Sequence, residues 1–217
     1  MSDFLDLAVR YFPYIARGIT VTVELTLLSL CVSAVLGLAA AMGKMSASRL
    51  ASVPARIYIE VIRGTPALLQ IFLVYFGLTS YGVRLEPLPA AVITLGMIGG
   101  AYLAEIFRAG IESVDRGQVE AATSLGMKRG AIMRRIVLPQ AMVLILPPFT
   151  NFLIALIKDT SLALTITVPD IMYRAYDAAN QSFRSMEIYA MAGVIYLAMC
   201  YPLSRLARWL ERRRPPR

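Results

Sequence analysis

The 217-residue chain contains no histidine, one tryptophan (Trp209) and two cysteines, Cys31 and Cys200. Lack of histidine removes the commonest metal ligand and the usual general base at neutral pH. No metal site and no catalytic residue is therefore expected, no cofactor is implied, and the chain reads as a non-enzyme. Cys31 and Cys200 both lie inside apolar runs, so they read as packing residues rather than a disulfide, a redox pair or metal ligands. Charge is scarce as well: 17% of residues are charged, against about a quarter in an ordinary soluble domain. The first apolar run is preceded by Asp3 and Asp6, without an early basic cluster or small-residue cleavage pattern, so no cleavable signal is expected.

What abounds is apolar sequence. Hydrophobic residues make up 58% of the chain and the mean hydropathy is +0.63, which indicates a membrane protein. Five stretches are long enough to cross about 30 Å of hydrocarbon. They run over about 19–43, 57–81, 88–111, 137–157 and 188–209, leaving an inner loop at about 112–136 and an outer segment at about 158–187. The expected fold is an all-α membrane protein, a single domain over residues 1–217 with five transmembrane helices.

The net charge of +8 is informative through its placement. Sixteen of the 22 basic residues follow spans one, three and five. These are Lys44, Arg49, Arg56 and Arg63; Arg108, Arg116, Lys128, Arg129, Arg134 and Arg135; and Arg205, Arg208, Arg212, Arg213, Arg214 and Arg217. The other six, Arg10, Arg17, Arg84, Lys158, Arg174 and Arg184, fall on the opposite side. The positive-inside rule then puts the N-terminus outside and the C-terminus in the cytoplasm. Basic residues grouped between apolar spans, rather than on a soluble face, give no reason to expect a nucleic-acid partner. Lys128, Arg129, Arg134 and Arg135 read as headgroup contacts, and Arg212 to Arg214 after Trp209 as an interfacial stop.

Breaks within the spans carry information, because lipid cannot satisfy freed backbone groups. Gly64, Pro66 and Gly77 interrupt span two, and Pro147-Pro148 stand in span four; these must face protein or a water-filled cavity. Gly96, Gly99 and Gly100 allow close helix approach in span three. In the outer segment, Pro169-Asp170 predicts a helix start, giving an interfacial helix that either docks a delivery protein or serves as a connector.

The inner loop holds a distinctive pattern. Glu120-Ala121-Ala122 favours helix, and its alanines form a low face that another protein can approach. Gly126 suits a left-handed helix stop. Pro139 predicts extended geometry at Leu138, a bend where the next span begins. A short helix between two turns is expected.

With Arg63-Gly64-Thr65-Pro66, Leu68 and Gln70, the run from Ala104 to Gly110, Gly117-Gln118, Glu120 to Gly126, Leu138-Pro139-Gln140 and Lys158 to Leu162, the chain resembles the permease subunits of polar amino-acid ABC importers. This is the group that includes histidine, glutamine and arginine permeases. The resemblance implies a type I importer fold and a dimeric core made with a second permease, either identical or a sister chain. It further implies separate ABC ATPase subunits, an extracytoplasmic substrate-binding protein and a polar amino acid as cargo. Consistently, no Gly-x-x-x-x-Gly-Lys-Ser/Thr phosphate loop occurs in the chain, so ATP is expected to bind a partner.

On this reading Glu120, Ala121, Ala122 and Gly126 form the coupling helix seated on the ATPase. Gln70, Asp159 and Ser161 are candidates for the substrate pathway, Asp159 being able to pair an ammonium group. Local pairing of Asp159 with Lys158, or capping of a short outer helix, is the alternative. Glu105 and Arg108, three apart, are expected to pair on one helix face. The competing function is an ion-gradient-driven secondary transporter or channel subunit. That would favour acidic or histidine relays and inverted repeats within the membrane, and neither is evident.

Overall fold

The computed structural model describes residues 2–212, and among them every regular element is helical. Arg213, Arg214 and Arg217, counted above toward the inner charge, lie outside the described residues. Helix α1 (Ser2–Ala16) leads through Arg17 into α2 (Gly18–Met45). Next come α3 (Arg49–Gly64), α4 (Ala67–Phe72), a π-helical turn at Leu73–Gly77 and α5 (Leu78–Ser80). The long α6 (Pro87–Glu112) precedes the short α7 (Arg116–Ser124) and α8 (Arg129–Ile132). A π turn at Met133–Val137 runs into α9 (Leu138–Asp159), followed by a 3-10 turn at Thr160–Ile166. The chain finishes with α10 (Ile171–Ser182) and α11 (Ser185–Arg212).

Four of these segments are long and apolar enough to cross a membrane, and α3 with α4–α5 makes a fifth if the bent pair counts as one span. The second span, expected over 57–81 with interruptions at Gly64, Pro66 and Gly77, is broken between Gly64 and Ala67. Its two arms meet at 108°, and the first arm begins at Arg49. Thr65 is extended (φ −118°, ψ 145°), the geometry that the following Pro66 imposes on its predecessor. Gln70 closes the gap: its Nε2 donates to Ile62 O at 2.8 Å, Thr65 O at 3.1 Å and Thr65 Oγ1 at 2.8 Å. Arg63, counted from sequence toward the inner charge, stands on the last turn of α3, its guanidinium 5.3 Å from the Tyr102 ring centre.

Helix α6 is the hub, touching α2, α3, α4 and α9. Its contact with α2 is close because small residues line both surfaces. On α2 the buried residues Thr22, Thr26, Ser29, Ser33 and Gly37 recur every three or four positions. A Cβ on Gly99 would lie 2.2 Å from Ser33 Oγ, and one on Gly37 would lie 2.7 Å from Leu103 Cβ. No larger residue fits this seam without separating the helices, which is how membrane helices gain van der Waals contact. Ser33 satisfies its own hydroxyl by donating to Ser29 O at 2.7 Å.

The helix start expected at Pro169-Asp170 is present. Asp170 accepts from Tyr173 N at 2.8 Å as the α10 cap and receives the Tyr196 hydroxyl at 3.3 Å. The Thr22 hydroxyl accepts from Ile171 N at 3.3 Å, so one buried polar node joins α2, α10 and α11. Asp170 is fully buried. Burial pushes its carboxyl up to about 6, against the opposing pull of its hydrogen bonds.

Two expectations need correction. Leu138 is helical (φ −60°, ψ −44°), not extended, and Pro139 occupies the first turn of α9. The π turn before it widens the backbone, which admits the ring within helical geometry. The cysteines also differ: Cys200 is buried as expected, but Cys31 is exposed on the chain surface, and both are free thiols.

Candidate functional site

Helix α7 is a short rod finished at both ends. Asp115 caps its start, the carboxylate accepting from Gly117 N at 2.6 Å. At its end Gly126 takes φ +75°, while Gly126 N reaches Thr123 O at 2.9 Å and Met127 N reaches Ala122 O at 3.1 Å. That pair of bonds is the Schellman closure, which needs a left-handed residue at this position. A Cβ on Gly126 would meet no atom within 4 Å. The requirement for glycine here is therefore conformational and not steric.

The two alanines separate. Ala122 is 3% exposed and is buried with Val114, Ile132, Val137, Ala141 and Ile145. Ala121 faces outward beside Glu120 and Gly126, which are also exposed. The expectation that both alanines form the open face therefore holds for one of them, because successive helical residues are turned by about 100°. Sequence reasoning missed Leu125, which stands 82% exposed at the end of the rod. The signal was present: a lone leucine among polar residues just before the glycine stop.

Two connections tie the rod to the spanning helices. Gln140 Nε2 donates to Gln118 Oε1 at 2.5 Å and to Ile136 O at 3.0 Å, clamping α7 to the first turn of α9. Beneath the rod lies an open hollow of about 790 Å³ whose rim includes Glu112, Arg116, Glu120 and Arg129. At the base of α6, Glu105 joins Arg108, as expected from their spacing, and also Lys44 of α2.

A second candidate region is a cavity of about 510 Å³ between α3, α6 and α9, lined by Ile62, Thr65, Gly99, Tyr102, Phe152 and Asp159 among others. Pro148 lines it as well and Pro147 is buried, so the proline pair faces cavity and protein as membrane chemistry requires. Of the three residues expected on the pathway, Asp159 reaches this cavity. Gln70 and Ser161 are not among its lining residues, and the Gln70 amide nitrogen is committed to the bend. The structure thus does not bring the three together. Tyr102, stacked under Arg63, was not anticipated. Among the described residues no group of acidic residues and cysteines has metal-binding geometry.

The chain as a whole is similar to known proteins. Residues 33–214 match the family model described as binding-protein-dependent transport system inner membrane component. The chain is 40% identical over 194 residues to the probable amino-acid ABC transporter permease protein YckA of Bacillus subtilis (strain 168), covering 89% of this chain and 86% of that one. It is 36% identical over 203 residues to the glutamine transport system permease protein GlnP of Escherichia coli (strain K12), covering 93% of each. Among solved structures, one described as an amino acid ABC transporter with histidines superposes with a TM-score of 0.91 at 38% identity, over 97% of this chain and 98% of that one.

Proposed function

The chain belongs to the family of binding-protein-dependent transport system inner membrane components, and from that membership we propose how this permease subunit of an amino-acid ABC importer performs its transport. It is a multi-pass inner-membrane protein. In the proposed assembly it forms a dimeric core with a second permease, receives cargo from a substrate-binding protein outside, and is driven by ABC ATPase subunits inside. The N-terminus lies outside and the C-terminus in the cytoplasm, an orientation supported by the placement of the basic residues.

Helix α7 acts as the coupling helix. The observation that carries this reading is a doubly capped rod presenting Glu120, Ala121 and Leu125 outward while Ala122 anchors it against α8 and the π turn that follows. A rod so held moves as a rigid body, so closure of the ATPase pair would pass to the spans as a swing of α7. Leu125 supplies the apolar contact and Gly126 ends the helix before it can collide with the groove that receives it.

Asp159 supplies the cargo contact in the cavity between α3, α6 and α9, pairing the ammonium of an amino acid or a cationic side chain. A carboxylate beside a membrane cavity is costly unless it is used, and the surrounding Tyr102, Phe152 and Gly99 leave room for an aliphatic or ring-bearing side chain.

Site-specific crosslinking tests the coupling role. In a Cys31→Ser background, Leu125→Cys should crosslink to the ATPase chain in purified complex, with a yield that changes when ATP is added. A cysteine at Leu50, 91% exposed at the start of α3, serves as the comparison. Equal crosslinking at both positions, or none at Leu125 in an active complex, overturns the assignment of α7.

A further inference from the structure

We propose that the end of α11 holds the phosphate headgroup of an anionic phospholipid, in a site built from Arg205, Arg208 and Arg212 around Trp209. The four residues line one shallow recess of about 120 Å³. The three arginines' spacing of three, four and seven places them on a single helix face, their Cα positions spanning about 10 Å along the axis.

The face carrying the arginines points away from the protein. Cys200 and Ala207, on the opposite side of α11, are buried. Continuing the arginine face upward, Val194 is 59% exposed, Leu197 64% and Tyr201 54%. In the proposal this exposed apolar strip of a spanning helix faces lipid. It turns into arginine one helical turn below Tyr201, the depth at which acyl chain gives way to headgroup. Helix α11 has 28 residues, about 42 Å long, so its end reaches past the hydrocarbon into that zone. Tyrosine and tryptophan at this level fit the aromatic belt of the interface.

Charge accounting argues for a bound anion. Among the described residues no carboxylate lies within ion-pair distance of Arg205, Arg208 or Arg212. The one acidic neighbour, Glu211, is turned toward Asn151, 3.3 Å away. Arg208 uses Nε on Ser204 O at 3.3 Å, which orients its guanidinium and leaves the Nη groups free for a ligand. Planar guanidinium groups converging on a recess suit a phosphate diester. The acyl chains of the same lipid would lie along Val194, Leu197 and Tyr201. That continuity of apolar strip and cationic recess favours a lipid over a free anion or an acidic protein surface.

The test uses the intact transporter complex, purified in neutral detergent and exposed to phosphatidylglycerol, phosphatidylcholine or inorganic phosphate, with bound lipid counted by native mass spectrometry. Phosphatidylglycerol should be retained over phosphatidylcholine. Its apparent affinity should fall about fivefold for each arginine replaced by glutamine, and about a hundredfold in R205Q/R208Q/R212Q. Arg213, Arg214 and Arg217 remain in every variant and supply an equal background. Should the triple variant fail to assemble, R208Q and R212Q are read singly, each in complex with an unchanged melting midpoint. Equal phosphatidylglycerol retention by wild type and variants overturns the proposal, as does equal retention of phosphatidylcholine. So does displacement by millimolar inorganic phosphate, which would indicate a free-anion site. Loss of the ATPase chain in place of lipid would show a protein interface and overturn it equally.

Discussion

Lys44 and Glu105, 61 residues apart in sequence, meet with Nζ 2.5 Å from Oε1 and so lock the ends of α2 and α6 together. The other Glu105 oxygen receives Arg108 Nη2 at 2.7 Å, and Arg108 also pairs with Glu112. The result is a ladder of alternating charge running down the last two turns of α6 toward Asp115, the cap of α7. These side chains are about a quarter exposed or less at the Lys44–Glu105–Arg108 core, so water screens them only in part. The ladder fixes the base of α7, the proposed coupling helix.

Replacing Glu105 with glutamine should therefore weaken both stability and coupling. The expected loss is about 1–2 kcal/mol, the range for a partly shielded charge network. A double-mutant cycle of Lys44→Gln with Glu105→Gln, read by thermal melting of the purified complex, should show a coupling energy of about 1 kcal/mol. Strict additivity would mean the 2.5 Å contact does not contribute in solution.

Gly126→Val should insert and fold but fail to transport. At φ +75° a β-branched residue costs on the order of 1–2 kcal/mol, yet no neighbour obstructs it. The strain is thus relieved by unwinding the end of α7 rather than by disturbing the bundle. Membrane content by immunoblot should match wild type, with uptake of labelled amino acid abolished. Normal uptake would show that the Schellman closure is dispensable.

Gln70 and Asp159 should part company under substitution. Gln70→Leu removes the amide that joins the Ile62 and Thr65 carbonyls across the bend, destabilising the protein by about 1–3 kcal/mol and lowering transport through loss of folded protein. Asp159→Asn is nearly isosteric and should leave the melting midpoint unchanged while reducing uptake and substrate-stimulated ATP hydrolysis. Unchanged uptake in Asp159→Asn would remove it from the cargo pathway.

Asp170 should impose a pH dependence of definite sign. Its folded carboxyl titrates near 6 and its unfolded one near the usual value of about 3.9. Between these the folded state binds more protons than the unfolded state, so stability falls as pH rises from about 4 to about 6 and is level above. The change is on the order of 2–3 kcal/mol. Subtracting the melting profile of Asp170→Asn from that of wild type isolates this group from the other carboxylates. A difference profile that is flat between pH 4 and pH 6.5 would contradict the burial of Asp170.

Local features were legible in the sequence wherever a few adjacent residues decide the outcome. Asp170 and Gly126 are helix-end residues whose geometry depends on bonds within one turn, and both are where the pattern placed them. The chemistry of Pro66 foretold a break; its angle depended on Gln70 reaching back across eight residues to Ile62. Leu138 went the other way, because the π turn at Met133–Val137 relieved what Pro139 would otherwise have forced. In the candidate site, the existence and ends of α7 were readable, but its orientation was not. Which of Ala121 and Ala122 points inward, and therefore that Leu125 points outward, follows from how α8 and the π turn at Met133–Val137 pack against the rod.

Taken alone, the amino-acid order determined that this is a helical membrane protein, roughly where its helices run, and how several of them end. Those properties depend on apolar length and on short-range backbone bonding. The tertiary arrangement decided which sides of the helices meet, that Lys44 finds Glu105, and that Asp159 reaches a cavity while Gln70 serves a bend. In lipid, residues facing the bilayer and residues facing other helices are both apolar. Hydropathy therefore marks a span without giving it a direction, and only the fit of neighbouring helices can supply one.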